Sequence, residues 1–243
     1  MNLQLKTNAQ EENLVHNTVS ITSEKISTLI LGYGSDIEDL QISRTYLIVK
    51  RALDICGALI GLGILLLLLP FIALLIWWED RGPIFYRYTC VGQYGRSFTT
   101  YKIRSMMVNA NEYLARNPEL LALWKENGKL VNDPRVTRIG RFIRSTSIDE
   151  LPQLLNVLRG EMSLIGPRFV QFSEVDRFGE LIKLRQLVKP GLTGLWQVSG
   201  RSQLNYEQRA ILDSIYVLEC SFFTDMLILV KTVPSVIKGV GAY

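Results

Sequence analysis

The adjacent carboxylates Asp149 and Glu150, inside Thr146-Ser-Ile-Asp-Glu-Leu-Pro152, are where chemistry is easiest to write in this sequence. Two uses fit them. In the structural use, a helix runs over Glu150 to Arg159 and is closed by Gly160. Asp149 is then its N-cap, Ser147 and Glu150 form a capping box, and Pro152 falls where backbone donors are unpaired anyway. In the chemical use, a carboxylate at a helix start stays ionised, and an ionised aspartate can attack phosphorus or hold a metal ion. Arg138, Arg141 and Arg144 lie just upstream and would suit a phosphoryl group and its magnesium.

Other cations recur downstream and upstream. Arg168 follows Gly166-Pro167 in a loop, where its planar fork can take a phosphate with two parallel hydrogen bonds. Lys102 and Arg104 are two residues apart on a predicted strand and so share a face, either as a phosphate clamp or as a solvated edge. Gly191, Gly194 and Gly200 lead to Arg201 through a loop whose backbone can approach a ligand closely. The single histidine, His16, lies in a polar stretch far from these motifs, which removes Ser-His-Asp and Cys-His catalysis from the domain. Cys56, Cys90 and Cys220 have neither metal-ligand spacing nor an even count, as expected of a reducing compartment. The balance of 27 basic to 23 acidic residues is modest, but the basic ones concentrate between Lys102 and Arg168. That concentration suits an anionic ligand or membrane surface, and no nucleic-acid partner is expected without zinc-finger spacing or an RNA-binding aromatic signature.

The element that must carry these motifs is the uncharged run from Ile55 to Trp78. As a helix it would rise ~36 Å, enough for a hydrocarbon core of about 30 Å. Arg44, Lys50 and Arg51 precede it, and Arg81, Arg87 and Arg96 follow, so neither flank is marked as outside. Pro70 removes a backbone donor and crowds the preceding turn. A helix that enters the bilayer, bends near Leu69-Pro70 and returns to the same face is therefore weighed against a simple span.

Three regions follow: a flexible N-terminal tail over 1–42, an interfacial and re-entrant membrane helix over 43–80, and a cytoplasmic catalytic domain over 81–243. The tail lacks a signal peptide's apolar core and carries one short apolar patch, Ile26 to Leu31. In the third region, IFYRYTCV and RSFTTYKI read as a hairpin around Gly92 to Gly95. Helices are expected over Met106–Asn127 with a break at Pro118, Val136–Arg144, Ser173–Val188, Tyr206–Phe222 and Asp225–Lys238. The last is apolar on one face and suits a membrane surface. The expected fold class is mostly α with a small β-hairpin, a membrane-embedded helix and interfacial amphipathic helices.

The order RGPIFYRYTCVGQYGRSFTTYKIRSM, NDPRVTRIGRFIRSTSIDELPQLLNVLRGEMSLIGPR, VKPGLTGLWQVSGR and GVGAY resembles the bacterial sugar transferases, over about residues 45 to 243. These are monotopic polyprenyl-phosphate sugar-1-phosphate transferases that begin surface polysaccharide assembly. The resemblance implies a re-entrant helix broken at Pro70, a place in the bacterial inner membrane with the domain facing the cytoplasm, and a magnesium requirement. It implies transfer of a sugar 1-phosphate from a UDP-sugar to undecaprenyl phosphate with release of UMP. By the family's pattern Asp149 is the nucleophile and Glu150 a catalytic partner and magnesium ligand. Phosphate-binding roles fall on Lys102, Arg104, Arg144, Arg168 and Arg201. Two departures stand out: Phe169 replaces the second proline of Gly-Pro-Arg-Pro, and Leu69 stands where some members carry serine before Pro70. The sugar and the oligomeric state, a homo-oligomer included, stay open. A membrane-anchored, non-catalytic regulator of polysaccharide assembly would have no catalytic carboxylates, and a glycosyltransferase moving sugar without phosphate commonly carries Asp-x-Asp, which does not occur here.

Overall fold

A computed structural model describes residues 42–127, 130, 132–200 and 204–237. The tail's apolar patch and Arg201 lie outside the described residues. Helix α1 (Arg44–Asp80) comes first and is 37 residues long. Strands β1 (Phe85–Val91) and β2 (Ser97–Ile103) form the expected hairpin, with Phe85 opposite Ile103 and Val91 opposite Ser97. Its turn uses Tyr94 and Gly95 at φ 56° and 73°, a left-handed pair that lets the strands reverse. Then come α2 (Ala110–Ala115), α3 (Pro118–Asn127) and α4 (Arg138–Ser145). Pro118 opens α3 at its first helical position, the break expected there, while the helical stretch before it starts at Ala110 rather than Met106.

A 3-10 turn (Ile148–Gln153) runs into α5 (Leu154–Arg159), which Gly160 ends in the left-handed conformation. Strands β3 (Ser163–Ile165) and β4 (Val170–Gln171) follow, then a 3-10 segment (Phe172–Phe178) and α6 (Leu181–Arg185). Gly179 separates these last two at φ 52°, so the helix expected over 173–188 does not form as one piece. The chain ends with β5 (Gly191–Thr193), α7 (Leu195–Ser199), α8 (Tyr206–Leu218) and α9 (Phe222–Ile237). The hairpin acquires β4 beside β1, and β3 pairs in parallel with β5. Strands of two or three residues are too short to alternate, so periodicity does not reveal them.

One side of α1 is buried along its length: Asp54, Ala58, Leu65, Ile72 and Ile76, steps that return to one face of a helix. Ala58 packs with Leu154 and Val157 of α5 and with Cys90 and Phe98 of the hairpin. Leu65, Ile72 and Ile76 pack with Ile103 of β2 and Ile143 of α4, and Leu69 leans on the same group. These contacts lie on both sides of Pro70, and α1 stays one continuous helix through it rather than two arms. A proline inside a helix costs about 3 kcal/mol, and each buried apolar side chain returns about 1.5–3 kcal/mol, so the packing outweighs the lost backbone bond. The opposite side, including Leu59, Ile60, Leu66, Leu67, Phe71, Leu74 and Trp78, is apolar and exposed.

Polar ties hold both ends of this ~55 Å rod to the same body. Near its start, Lys50 meets Asp225 of α9 at 2.7 Å, and Arg51 donates to the Val157 and Leu158 carbonyls that end α5, at 2.6 and 2.7 Å. Asp54 accepts from Ser163 Oγ at 2.9 Å and from the Leu164 N–H at 2.8 Å. At its other end, Glu79 accepts from the Arg138 N–H at 2.8 Å, closing the start of α4, and Asp80 takes the Arg104 guanidinium and the Val108 N–H.

Helix α4 is pressed so tightly on the end of β2 that a Cβ at Gly140 would stand 1.9 Å from the Ser105 carbonyl oxygen. Alanine gains about 1 kcal/mol of helix propensity over glycine, whereas overpacking costs about 1–3 kcal/mol or more, so the clash decides the sign. Gly140→Ala is expected to lower the thermal midpoint of the detergent-solubilised protein; an unchanged or raised midpoint would mean that α4 can lift away from β2 freely.

Candidate active site

Helix α4 begins at Thr137, whose Oγ1 accepts from the Gly140 N–H at 2.9 Å, and it buries Ile143. It ends where Ser147 turns left-handed at φ 57°. That residue makes no side-chain cap, so the Ser147–Glu150 capping box of the structural use does not form. Asp149 and Glu150 lie inside the 3-10 turn, which is laid across β2 with both carboxylates on the wall of a cleft of about 1100 Å³.

Of the predicted phosphate-binding cations, Lys102, Arg144 and Arg168 converge here. Lys102 Nζ is 2.7 Å from Glu150 Oε1 and 3.5 Å from Asp149 Oδ2. The Arg168 guanidinium grips Glu150 through both terminal nitrogens. Arg144 Nε donates to Ser105 Oγ at 2.8 Å, with its charge acting on Asp149. Arg104 lines the same cleft but pairs with Asp80 at the end of α1. Lys102 is on β2 and Arg104 lies just past its end, and of the two only Lys102 reaches the carboxylate pair.

The two carboxylates are driven apart. Burial pushes Asp149 above the ordinary aspartate range, Lys102 opposes it, and the Glu150 charge adds to the rise. Burial would raise Glu150 as well, but Arg168 and Lys102 outweigh it and hold Glu150 well below the usual range. Glu150 is thus held as a charged counter-ion to Lys102 and Arg168, and Asp149 is the less committed of the two carboxylates.

Sequence reasoning missed the residues that hold Arg168. Its loop is pinned by the Gly191 N–H donating to the Pro167 carbonyl at 2.8 Å, and by the Gly166 N–H donating to the Thr193 carbonyl at 2.9 Å. A Cβ at Gly166 would meet the Lys189 carbonyl oxygen at 2.5 Å, which explains the glycine. Arg185 donates to the Arg168 carbonyl at 2.7 Å and pairs with the buried Asp213, whose carboxyl burial pushes up to about 6 against the pull of Arg185. Phe169, where the resemblance implies a second proline, lies under the Arg168 guanidinium at 4.9 Å and beside the Tyr88 ring.

A profile described as bacterial sugar transferase matches residues 45–239, which spans α1, the hairpin and every cleft element. The chain belongs to the bacterial sugar transferase family. The UDP-galactose-lipid carrier transferase of Erwinia amylovora is 49% identical over 200 residues, covering 80% of this chain and 41% of that protein. The undecaprenyl-phosphate galactose phosphotransferase of Salmonella typhimurium is 42% identical over 214 residues, 85% of this chain and 44% of that one. The exopolysaccharide production protein ExoY of Rhizobium meliloti is 40% identical over 198 residues, 80% of this chain and 88% of that one. The chain thus spans less than half of the first two relatives and most of the third.

The resemblance brings magnesium with it, and the donor set can be tested against that ion. Among the described residues no group of three or more His, Cys, Asp or Glu side chains could hold a metal. Magnesium often takes only one or two protein carboxylates when phosphate oxygens and waters supply the rest. Asp149 and Glu150 fit that sparse kind of site in this sugar transferase. Glu150 would share its oxygens with Lys102 and Arg168, whereas Asp149 is less engaged.

Two measurements check the electrostatics. Isotope-edited infrared spectroscopy should find the Asp149 carboxyl titrating above the ordinary aspartate range, and Lys102→Met should move it higher still, because a nearby cation favours the charged form. A folded-state value raised above the unfolded one contributes stability at low pH that is lost as pH rises through it. Asp149→Asn should therefore raise the thermal midpoint at neutral pH, where the buried charge is removed, and leave it unchanged where Asp149 is protonated. A midpoint lowered at neutral pH would make Asp149 a structural residue.

Proposed function

We propose that this sugar transferase moves a sugar 1-phosphate from a UDP-sugar to undecaprenyl phosphate, with UMP as the leaving group. The observation that carries the reading is Asp149: a buried carboxylate on a cleft wall, ringed by Lys102, Arg144 and Arg168, with no hydrogen bond among the described residues that commits it elsewhere. The relatives' names supply the substrate class, through a UDP-galactose-lipid carrier transferase and an undecaprenyl-phosphate galactose phosphotransferase. Exopolysaccharide or capsule assembly is the corresponding process.

In the first displacement an Asp149 oxygen attacks the phosphorus that bears the sugar. The bond from that phosphorus to the bridging oxygen breaks, the electron pair leaves on UMP, and a phosphosugar-aspartate anhydride remains. Lys102, Arg144 and Arg168 stabilise the charge that builds on the transferring oxygens. Glu150 fixes Lys102 and Arg168 in that position. Magnesium bound at Asp149 and Glu150 would neutralise part of the diphosphate charge. In the second displacement an oxygen of the lipid phosphate attacks the same phosphorus and returns the Asp149 carboxylate.

The lipid acceptor requires the cleft to meet a bilayer. Support comes from the exposed apolar side of α1 and from Phe222, Phe223, Leu227, Val230 and Val233 of α9. The ties of both ends of α1 to one body support a helix that keeps its two ends on the same side of the bilayer, which in this reading is the cytoplasmic face of the inner membrane. This agrees with a re-entrant placement in keeping both ends on one side, while the helix itself runs on through Pro70.

Asp149→Asn is expected to abolish turnover with folding intact, and wild type without lipid acceptor to release about one UMP per active site and trap label on Asp149. Strict dependence of UMP release on the lipid would mean direct transfer in a ternary complex, and release of UDP would mean transfer of the sugar alone. Topology has its own check. Single cysteines replacing Ser43 and Arg81, in a protein freed of its native cysteines, should escape an impermeant thiol reagent in intact cells and react after lysis. Labelling of one end alone from outside would make α1 a span.

A further inference from the structure

Among the described residues the buried arginines Arg104, Arg135 and Arg185, and the half-buried Arg168, each hold a carboxylate. Arg104 holds Asp80, Arg135 holds Asp133, Arg168 holds Glu150 and Arg185 holds Asp213. Arg209, on the first turns of α8, departs from that pattern. It lines the same cleft as Asp149, and among the described residues none of its side-chain nitrogens meets a hydrogen-bond acceptor; its Nε is buried without one. What fixes it is stacking: its guanidinium lies 4.9 Å from the Trp196 ring and 5.3 Å from the Tyr206 ring. Tyr206 is itself held, its hydroxyl donating to Glu174 at 3.0 Å.

A guanidinium placed by two aromatic rings, with its donors unspent, is costly to maintain in the empty cleft. A buried donor left without a partner is unfavourable; burial and the positive charge of Arg168 weigh against the Arg209 guanidinium, and the more distant charges of Glu174 and Asp213 offset this in part without supplying a hydrogen bond. Both penalties vanish when an anion with several oxygens arrives. The flanking rings add preference for a ligand that carries a flat ring beside its phosphate.

We infer that Arg209, with Trp196 and Tyr206, forms the subsite for the nucleoside monophosphate half of the donor. Its phosphate, the group that departs when Asp149 attacks, lies on the Arg209 guanidinium, and its pyrimidine lies against the aromatic pair. This inference rests on the transfer reaction proposed above and assigns the wall opposite in role to the carboxylate pair. Asp149 and its cations take the phosphate that is transferred, and Arg209 takes the phosphate that leaves. Arg209 is thus a substrate-binding residue and does not position Asp149.

The same charge could serve a lipid phosphate, and the experiment separates the two. UMP binding is measured by calorimetry on the full chain in detergent, and KM is measured for donor and lipid acceptor separately. Arg209→Gln should weaken UMP binding at least about tenfold and raise the donor KM by a similar factor, since charge-assisted hydrogen bonds to phosphate are lost. The acceptor KM should not move, and Arg209→Lys should recover part of the loss. Trp196→Leu should weaken UMP more than inorganic phosphate. Unchanged UMP affinity in Arg209→Gln overturns the subsite, as does a change confined to the acceptor KM. Failure of the transfer reading looks different: wild type would still bind UMP through Arg209 while Asp149→Asn kept its activity.

Discussion

The site depends on Glu150 being gripped from two sides. A carboxylate taken out of water is expensive, and removing one partner of such a pair leaves an uncompensated charge. Lys102 arrives from β2, Arg168 from the loop before β4, and Glu150 from the 3-10 turn between α4 and α5. Three segments distant in sequence are thus brought to one point by a single charge. The same arrangement sets Asp149 apart, because its neighbour's cations are largely spent on Glu150 and relieve its own burial only in part.

Outward from that point the supports alternate between ionic and apolar. Arg185 and Asp213 carry the backbone of Arg168, and Ser105 carries the side chain of Arg144. Beneath them, Ile103, Ile143 and the long apolar helix close one cluster, and Leu154, Val157 and Ala58 another. Ionic pairs set direction and apolar burial supplies most of the holding free energy. Loosening either layer shifts the other, since β2 carries both Lys102 and the buried Ile103.

Much of this was legible in the residues. The hairpin, the break at Pro118, the apolar segment and the helices around 138–145 and 206–218 follow from periodicity and punctuation. Asp149, Glu150, Lys102 and Arg168 were legible as ionisable groups in unusual company, and family resemblance gave them roles. Other features were not. Arg104 and Lys102 look equivalent on a strand face, and only the arrival of Asp80 from the end of α1 separates them. The 3-10 geometry at Ile148–Gln153 was hidden because Ser, Asp and Glu at that spacing also write an ordinary helix start. Arg185 and Asp213 sit 28 positions apart on helices that look amphipathic, so nothing local marks them as a pair. The continuity of the helix through Pro70 was hidden for the opposite reason: a strong local signal is outvoted by packing on both sides of it.

Glu79 and Asp80 close the long apolar helix onto the start of α4 and onto Arg104, and Arg51 and Asp54 close it onto α5 and β3. The oily segment is therefore part of the enzyme's interior, contributing Ala58 to one core cluster and Leu65, Ile72 and Ile76 to another, as well as carrying an exposed apolar side. Trimming it away to obtain a freely soluble fragment would strip the cover from Ile103, Ile143 and Leu154 and orphan the arginine that Asp80 neutralises. For this protein, greasiness and catalytic architecture are inherited together, and a water-soluble descendant would need a replacement wall rather than a shorter chain.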